Sequence, residues 1–289
     1  MNTTGVSDSS QVCEFQTWDG LRLFHRAWSS RQPARRFVVL FHGGHEHSGR
    51  FHELVDGLGR SETAYFAWDA RGHGRSPGRR GYAESLRDVT RDVERFLDHL
   101  ATAHALRLSD TVLLGHSVGS VVVIAYVRDH QPPIRGMILG SPALHVKTYT
   151  PFDRVVLRSL IRLNPEGSVK SYVIASLLTH DPEEMAARTR DPLISRPIGL
   201  KILLNILEEG QRLIHEAPAI RLPTLILSAG SDWVVQLGAV RRFFSRLGAQ
   251  QKAMVVYPGF FHEVFHERER AQPIAKAREF IHALFEGRP

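Results

Sequence analysis

Cysteine is nearly absent from this chain: Cys13 is the only one among 289 residues. A lone cysteine cannot form an internal disulfide, which excludes a disulfide-stapled secreted scaffold and points to a reducing cytosol. Staples are not needed at this length, because such a chain buries roughly three-quarters of the surface it exposes when unfolded. Cys13 sits in the short run "VCEF" and reads as a small strand hydrophobe rather than a catalytic thiol. Long apolar runs are missing too. A stretch such as "SVVVIAYV" is less than half of the roughly 20 residues that a membrane-crossing helix requires. The N-terminal "MNTTGVSDSS" has neither a basic region nor an apolar one, so no signal peptide is expected. Internal repeats and low-complexity linkers are also lacking. The expectation is a cytoplasmic protein, at most peripheral to a membrane.

What is present is ordinary for a globular domain, with 43% hydrophobic and 23% charged residues. Lys and Arg number 37 against 30 Asp and Glu, a net charge of +7. The arginines are spread along the chain and mixed with acids, as in "LRDVTRDVERFLDH". No nucleic-acid motif accompanies them, so the reading is a generally basic surface and no nucleic-acid partner.

Short apolar runs alternate with longer helical patterns. Strands are expected at 12–18, 21–28, 37–42, 64–69, 111–114, 136–139, 224–227 and 253–257. Several are unbroken Val/Leu/Ile/Phe runs, the mark of parallel strands covered on both faces. Helices are expected at 51–58, 83–104, 118–129, 237–247 and 274–284. The first two strands are separated by Asp19-Gly20, a hairpin signal. An antiparallel start followed by strand–helix units predicts a doubly wound α/β domain. From 145 to 219 the pattern is helical without a good strand, too long for an ordinary connection. The expected division is a core over 1–144 and 220–289, interrupted by a helical cap at 145–219.

The chemistry centres on "TVLLGHSVGSVVVIAYVRDH", an apolar strand, then Gly115-His116-Ser117-Val118-Gly119, then a helix. A tight strand-to-helix turn holds such a serine above the sheet, and the flanking glycines remove side chains that would clash. The helix N-terminus behind it favours the negative charge that develops during acyl transfer. A serine hydroxyl needs a base and an orienting carboxylate, and around this kind of turn the chain order is Ser, then Asp/Glu, then His. Asp232 follows the strand "PTLILSAG", and His262 follows the strand "AMVVY". The end of "MILGSPAL" offers no competing acid. His266 and His116 are the rival bases, and both read as packing or supporting residues. A second cluster, "FHGGHEHSGRFH", holds His42, His45, His47 and His52 around Glu46. Its spacing matches no standard metal motif, so no metal and no cofactor are expected.

These segments resemble the α/β-hydrolase superfamily, and within it the monoacylglycerol lipase and lysophospholipase-like branch of serine aminopeptidase S33-type hydrolases. "HGGHEHSGRF" is similar to that branch's H-G-x-G-E-H-S-x-R-[YF] loop, and "WDARGHGRSPGRRG" to its D-x-x-G-H-G-x-S-x-G segment. "RDPLISRPIGLKILLNIL" resembles the D-P-L-[IV] stretch of the cap, and "YPGFFHEVFHE" the loop carrying the family histidine. The likeness runs from about Val12 to the C-terminal helix. It implies a mostly parallel eight-stranded sheet with helices on both faces and an inserted cap. It implies Ser117 as nucleophile, His262 as general base and acid, and Asp232 as the group orienting His262. It also implies an oxyanion hole from the backbone N–H groups of Gly44 and Val118, and a structural role for the 69–78 segment. Two departures stand out: His45 adds bulk where the family has glycine, and Gln236 replaces a second acid.

The cap should set the substrate. Arg154, Arg158 and Arg162 fall on one face of "DRVVLRSLIRL", with valines and leucines over the rest. Such a helix either lies on an anionic membrane surface or packs its apolar face inward with its arginines in water. The leading expectation is an ester hydrolase for a single-chain lipid, monoacylglycerol first and lysophospholipid second. The alternatives are an esterase or thioesterase for small acyl groups, and a scaffold protein that has lost catalysis. Ser117 at the turn argues against dehalogenases and epoxide hydrolases, which carry Asp there.

Overall fold

The computed structural model describes residues 10–148 and 152–286, and the polar stretch 1–9 read above lies outside them. Eight strands form one sheet in the order β1-β2-β4-β3-β5-β6-β9-β10. They are β1 (Ser10–Gln16), β2 (Arg22–Trp28), β3 (Arg36–Phe41), β4 (Thr63–Trp68), β5 (Thr111–His116), β6 (Gly136–Gly140), β9 (Thr224–Ala229) and β10 (Lys252–Tyr257). β1 pairs antiparallel with β2, and β2 with β4; the remaining pairs are parallel. β4, β5, β6 and β9 are buried along their whole length, as their unbroken apolar sequences require. Leu40, Leu113, Leu114, Ile138 and Leu227 are completely enclosed between the flanking helices.

One face of the sheet packs on α2 (Leu86–His104), α3 (Val118–His130) and α7 (Leu237–Arg246), and the other on α1 (His52–Leu58) and α8 (Ala271–Phe285). α2 begins where the Ser85 side chain accepts the Asp88 N–H, a cap of the kind that fixes helix starts. α3 is apolar over nearly all its length, because it lies in the core rather than on it.

Between β6 and β9 lie α4 (Asp153–Leu163), α5 (Pro182–Arg190) and α6 (Leu200–Glu216). The expectation of no strand here is corrected in detail. β7 (Ser168–Lys170) and β8 (Pro197–Gly199) form a two-stranded antiparallel ribbon. Three-residue strands are too short to leave an alternating pattern in the sequence.

Candidate active site

Parallel strands deliver their carboxyl ends to one edge of the sheet, and three connections meet there. The turn after β5 carries Ser117, the loop after β9 carries Asp232, and the loop after β10 carries His262. Ser117 has φ 53° and ψ −118°, a strained conformation for a residue with a side chain. Neighbouring glycines make that turn sterically feasible. A Cβ on Gly115 would stand 2.5 Å from the Gly119 carbonyl oxygen, and one on Gly119 would stand 2.1 Å from that of Phe41. The turn is tied down by the Ser117 N–H donating to the Gly140 carbonyl and the Ser120 hydroxyl donating to the Gly115 carbonyl.

The three side chains form a continuous chain of hydrogen bonds. Ser117 Oγ lies 2.8 Å from His262 Nε2, and His262 Nδ1 lies 2.8 Å from Asp232 Oδ2. Asp232 Oδ1 accepts the N–H groups of Val234 and Val235 at 2.7 and 2.8 Å, which fixes the carboxylate's orientation. Burial favours a neutral Asp232, but the adjoining imidazole and these N–H donors hold its pKa below the ordinary value. Burial likewise opposes charge on His262, yet the Asp232 carboxylate raises its pKa above the ordinary histidine value. With Asp232 accepting at Nδ1, Nε2 is the free lone pair that faces the serine hydroxyl.

Gly43 and Gly44 leave β3 beside this turn. A Cβ on Gly43 would lie 3.2 Å from both His116 Nδ1 and Ser117 Cβ, tighter than ordinary contact. At Gly44 the same atom would lie 3.6 Å from Val118 Cγ2, an ordinary separation. Close approach therefore needs glycine at Gly43, whereas Gly44 has room for a methyl. His45 takes the left-handed φ of 70° and borders the cavity beside Ser117.

The four histidines of the loop do not converge. His42 donates from Nδ1 to the Gly43 carbonyl and accepts the Ala70 N–H at Nε2, so it is neutral and joins two loops. His47 accepts the Gly49 N–H and donates to Asp191, which belongs to the "RDPL" stretch. His52 accepts from the Trp28 indole. Asp69 accepts the N–H groups of Ser48 and Arg75 and so braces the same region from β4.

Sequence reasoning missed a buried charge cluster behind His262. Glu46 and Glu263 are both enclosed, with Arg188 of α5 between them, in contact with Glu46 and 3.6 Å from Glu263. Burial and mutual repulsion would neutralise these carboxylates, but Arg188, Arg50, His116 and His266 hold both below the ordinary range. His266 turns away from Ser117: Nδ1 faces Glu263 at 3.0 Å and Nε2 faces the Arg50 carbonyl at 2.9 Å. Oxygen acceptors at both nitrogens favour the imidazolium. Burial and Arg50 resist that charge, and Glu263 overrides them to raise its pKa. The signal for Glu46 and Glu263 lay in the quoted loops, but nothing in the sequence separates Arg188 from the other arginines.

A cavity of about 370 Å³ opens onto Ser117 and His262. Val146, Leu157, Leu178, Leu203, Ile206 and Val234 give it a mostly apolar lining.

A sequence profile described as "Serine aminopeptidase, S33" matches residues 32–269. The chain belongs to this family. It is a serine hydrolase with the α/β-hydrolase fold, in the monoacylglycerol lipase-like branch. Among its relatives, the monoacylglycerol lipase of Mycolicibacterium smegmatis is 30% identical over 92% of this chain and 94% of its own length. The uncharacterized protein YnbC of Escherichia coli is 43% identical over 94% of this chain, which spans only 46% of YnbC. The crystal structure of a Paleococcus ferrophilus monoacylglycerol lipase superposes with a TM-score of 0.82 at 28% identity, covering 91% of this chain and 99% of that one.

Proposed function

We propose that this S33 hydrolase cleaves the ester of a single-chain lipid, with monoacylglycerol the leading substrate and lysophospholipid the second. The observation that carries the reading is the apolar cavity ending at the hydrogen-bonded Ser117–His262 pair. A cavity of this size and lining suits an acyl chain whose carboxyl end reaches the serine. The named relatives support the substrate class.

In the proposed reaction Ser117 Oγ attacks the ester carbonyl while His262 Nε2 takes its proton. Asp232 holds the imidazole tautomer and stabilises the imidazolium. The oxyanion is met by the N–H groups of Val118, at the start of α3, and of Gly44. His262 then protonates the leaving alcohol, and water, activated by the same imidazole, hydrolyses the acyl-enzyme. Residues 145–219 act as the cap that shapes the acyl site, and the exposed apolar face of α4 is its contact with the lipid surface. Ser117→Ala should lose ester hydrolysis and covalent labelling by a fluorophosphonate. Turnover that persists in that variant defeats the assignment. A panel of monoacylglycerols, lysophospholipids, acyl thioesters and short esters then separates the substrates, and preference for short chains defeats the lipid reading.

A further inference from the structure

The lone cysteine does not stand alone in space. Cys13 on β1 pairs directly with His25 on β2, so both side chains rise from the same face of the sheet edge. The C-terminal turns of α2 cross over that face and bring His104 and His99 to the pair. One ligand-capable atom each from Cys13, His25 and His104 lies within 4.8 Å of the other two. The His99 ring centre is 5.1 Å from that of His25 and 6.2 Å from that of His104.

His25 supplies the second, independent observation. Its side chain is fully enclosed, and neither ring nitrogen has a hydrogen-bond partner among the described residues. Two unsatisfied polar atoms in an apolar setting are costly, and phenylalanine would fill the same space between Phe15 and Phe96 without that cost. The imidazole is rational if its nitrogen serves as a ligand.

We infer that Cys13, His25 and His104 form a zinc-class cation site, with His99 or a solvent water in the fourth position. This site is remote in the sheet from β5 and independent of the reading of Ser117. A thiolate with imidazoles is the donor set preferred by zinc and by similar borderline or soft ions. Bond lengths of about 2.0–2.3 Å imply ligand–ligand separations of about 3.3–3.7 Å around a tetrahedral ion. Ligand atoms already within 4.8 Å of one another need shifts of at most about 1.5 Å to reach that spacing, and Cys13 and His104 are only half-buried. His104 sits at the C-terminal end of α2, where the helix dipole favours positive charge. Binding releases the Cys13 thiol proton to solvent and breaks no other bond.

The test uses the full chain stripped with a chelator, dialysed, and titrated with cobalt(II) as a spectroscopic stand-in for zinc. One equivalent should bind with a thiolate-to-cobalt charge-transfer band and the visible bands of a tetrahedral site, and zinc should bleach both. Cys13→Ser should remove the charge-transfer band, while His25→Phe, which suits its aromatic surroundings, and His104→Gln should each weaken binding by about 100-fold. Absence of the band at one equivalent overturns the inference. So does binding that is unchanged in Cys13→Ser and His25→Phe, because it would place the cation on other residues, such as Glu46, His116 and Glu263.

Discussion

At the scale of single residues, the proposed chemistry rests on how Asp232 sets the charge of His262. The base form of His262 is the active one, so hydrolysis should rise with pH through a value above the ordinary histidine pKa of 6.5. In Asp232→Asn the carboxylate that raises this pKa is gone while burial remains. The acid limb of the pH–rate profile should therefore move to lower pH, and kcat should fall by about 10⁴-fold. An unchanged limb would show that another group controls it. Gly43 and Gly44 make a second comparison. Gly44→Ala should retain most activity, whereas Gly43→Ala should lose it, because its methyl would press on Ser117 and His116. Steady-state rates on one ester substrate settle the order. The neighbours of Ser117, Asp232 and His262 were legible in sequence because each follows a recognisable strand. Arg188 was not, because its pairing with Glu46 spans 142 positions and leaves no local pattern.

At the scale of elements, α4 divides its apolar residues between the interior against α6 and the solvent. Val155 and Leu163 are 60% and 85% exposed. Arg154 turns instead to Gln211 and the Leu207 carbonyl of α6, and Arg158 pairs with Glu208 at 2.6 Å. Leu157 is meanwhile buried against Leu200, Leu204 and Leu207 of α6 with Ile161 packed beside it, so part of the apolar face turns inward and part, with Val155 and Leu163, stays in water. The side-chain stripe was legible in the sequence, but its direction depended on α6. If this face meets a lipid surface, Val155→Glu with Leu163→Glu should lower activity on vesicle-borne monoacylglycerol several-fold. Turnover of a short soluble ester should stay within two-fold, since neither residue lines the cavity. Equal losses on both substrates would show a general defect in α4. The eight sheet strands were readable from short apolar runs, several of them unbroken, whereas β7 and β8 were too short for any periodicity.

Across the whole molecule, Arg188 links α5 to two loops of the sheet edge through Glu46 and Glu263. Removing it would leave two enclosed carboxylates without that counter-charge. Arg188→Ala should cost about 3–5 kcal/mol at neutral pH. The sign of its pH dependence follows from both carboxylates being depressed in the native state. Their stabilising contribution is present above the unfolded carboxylate pKa and disappears as pH falls through the lower folded values. The gap between native protein and variant should therefore narrow on acidification, as urea midpoints at several pH values would reveal. A gap independent of pH would assign Arg188 to packing alone. Among the described residues no helix is long and apolar enough to cross a membrane.

Cys13 has a practical consequence as well. A chain with one thiol has a single chemical address, and this one is on the edge strand, with β2, β4 and β3 between it and β5. A maleimide fluorophore placed there would report on motion at the β1–α2 corner without a competing label elsewhere. The same reagent would block the thiolate, so labelling speed with and without zinc would turn a lone sulfur into a direct gauge of site occupancy.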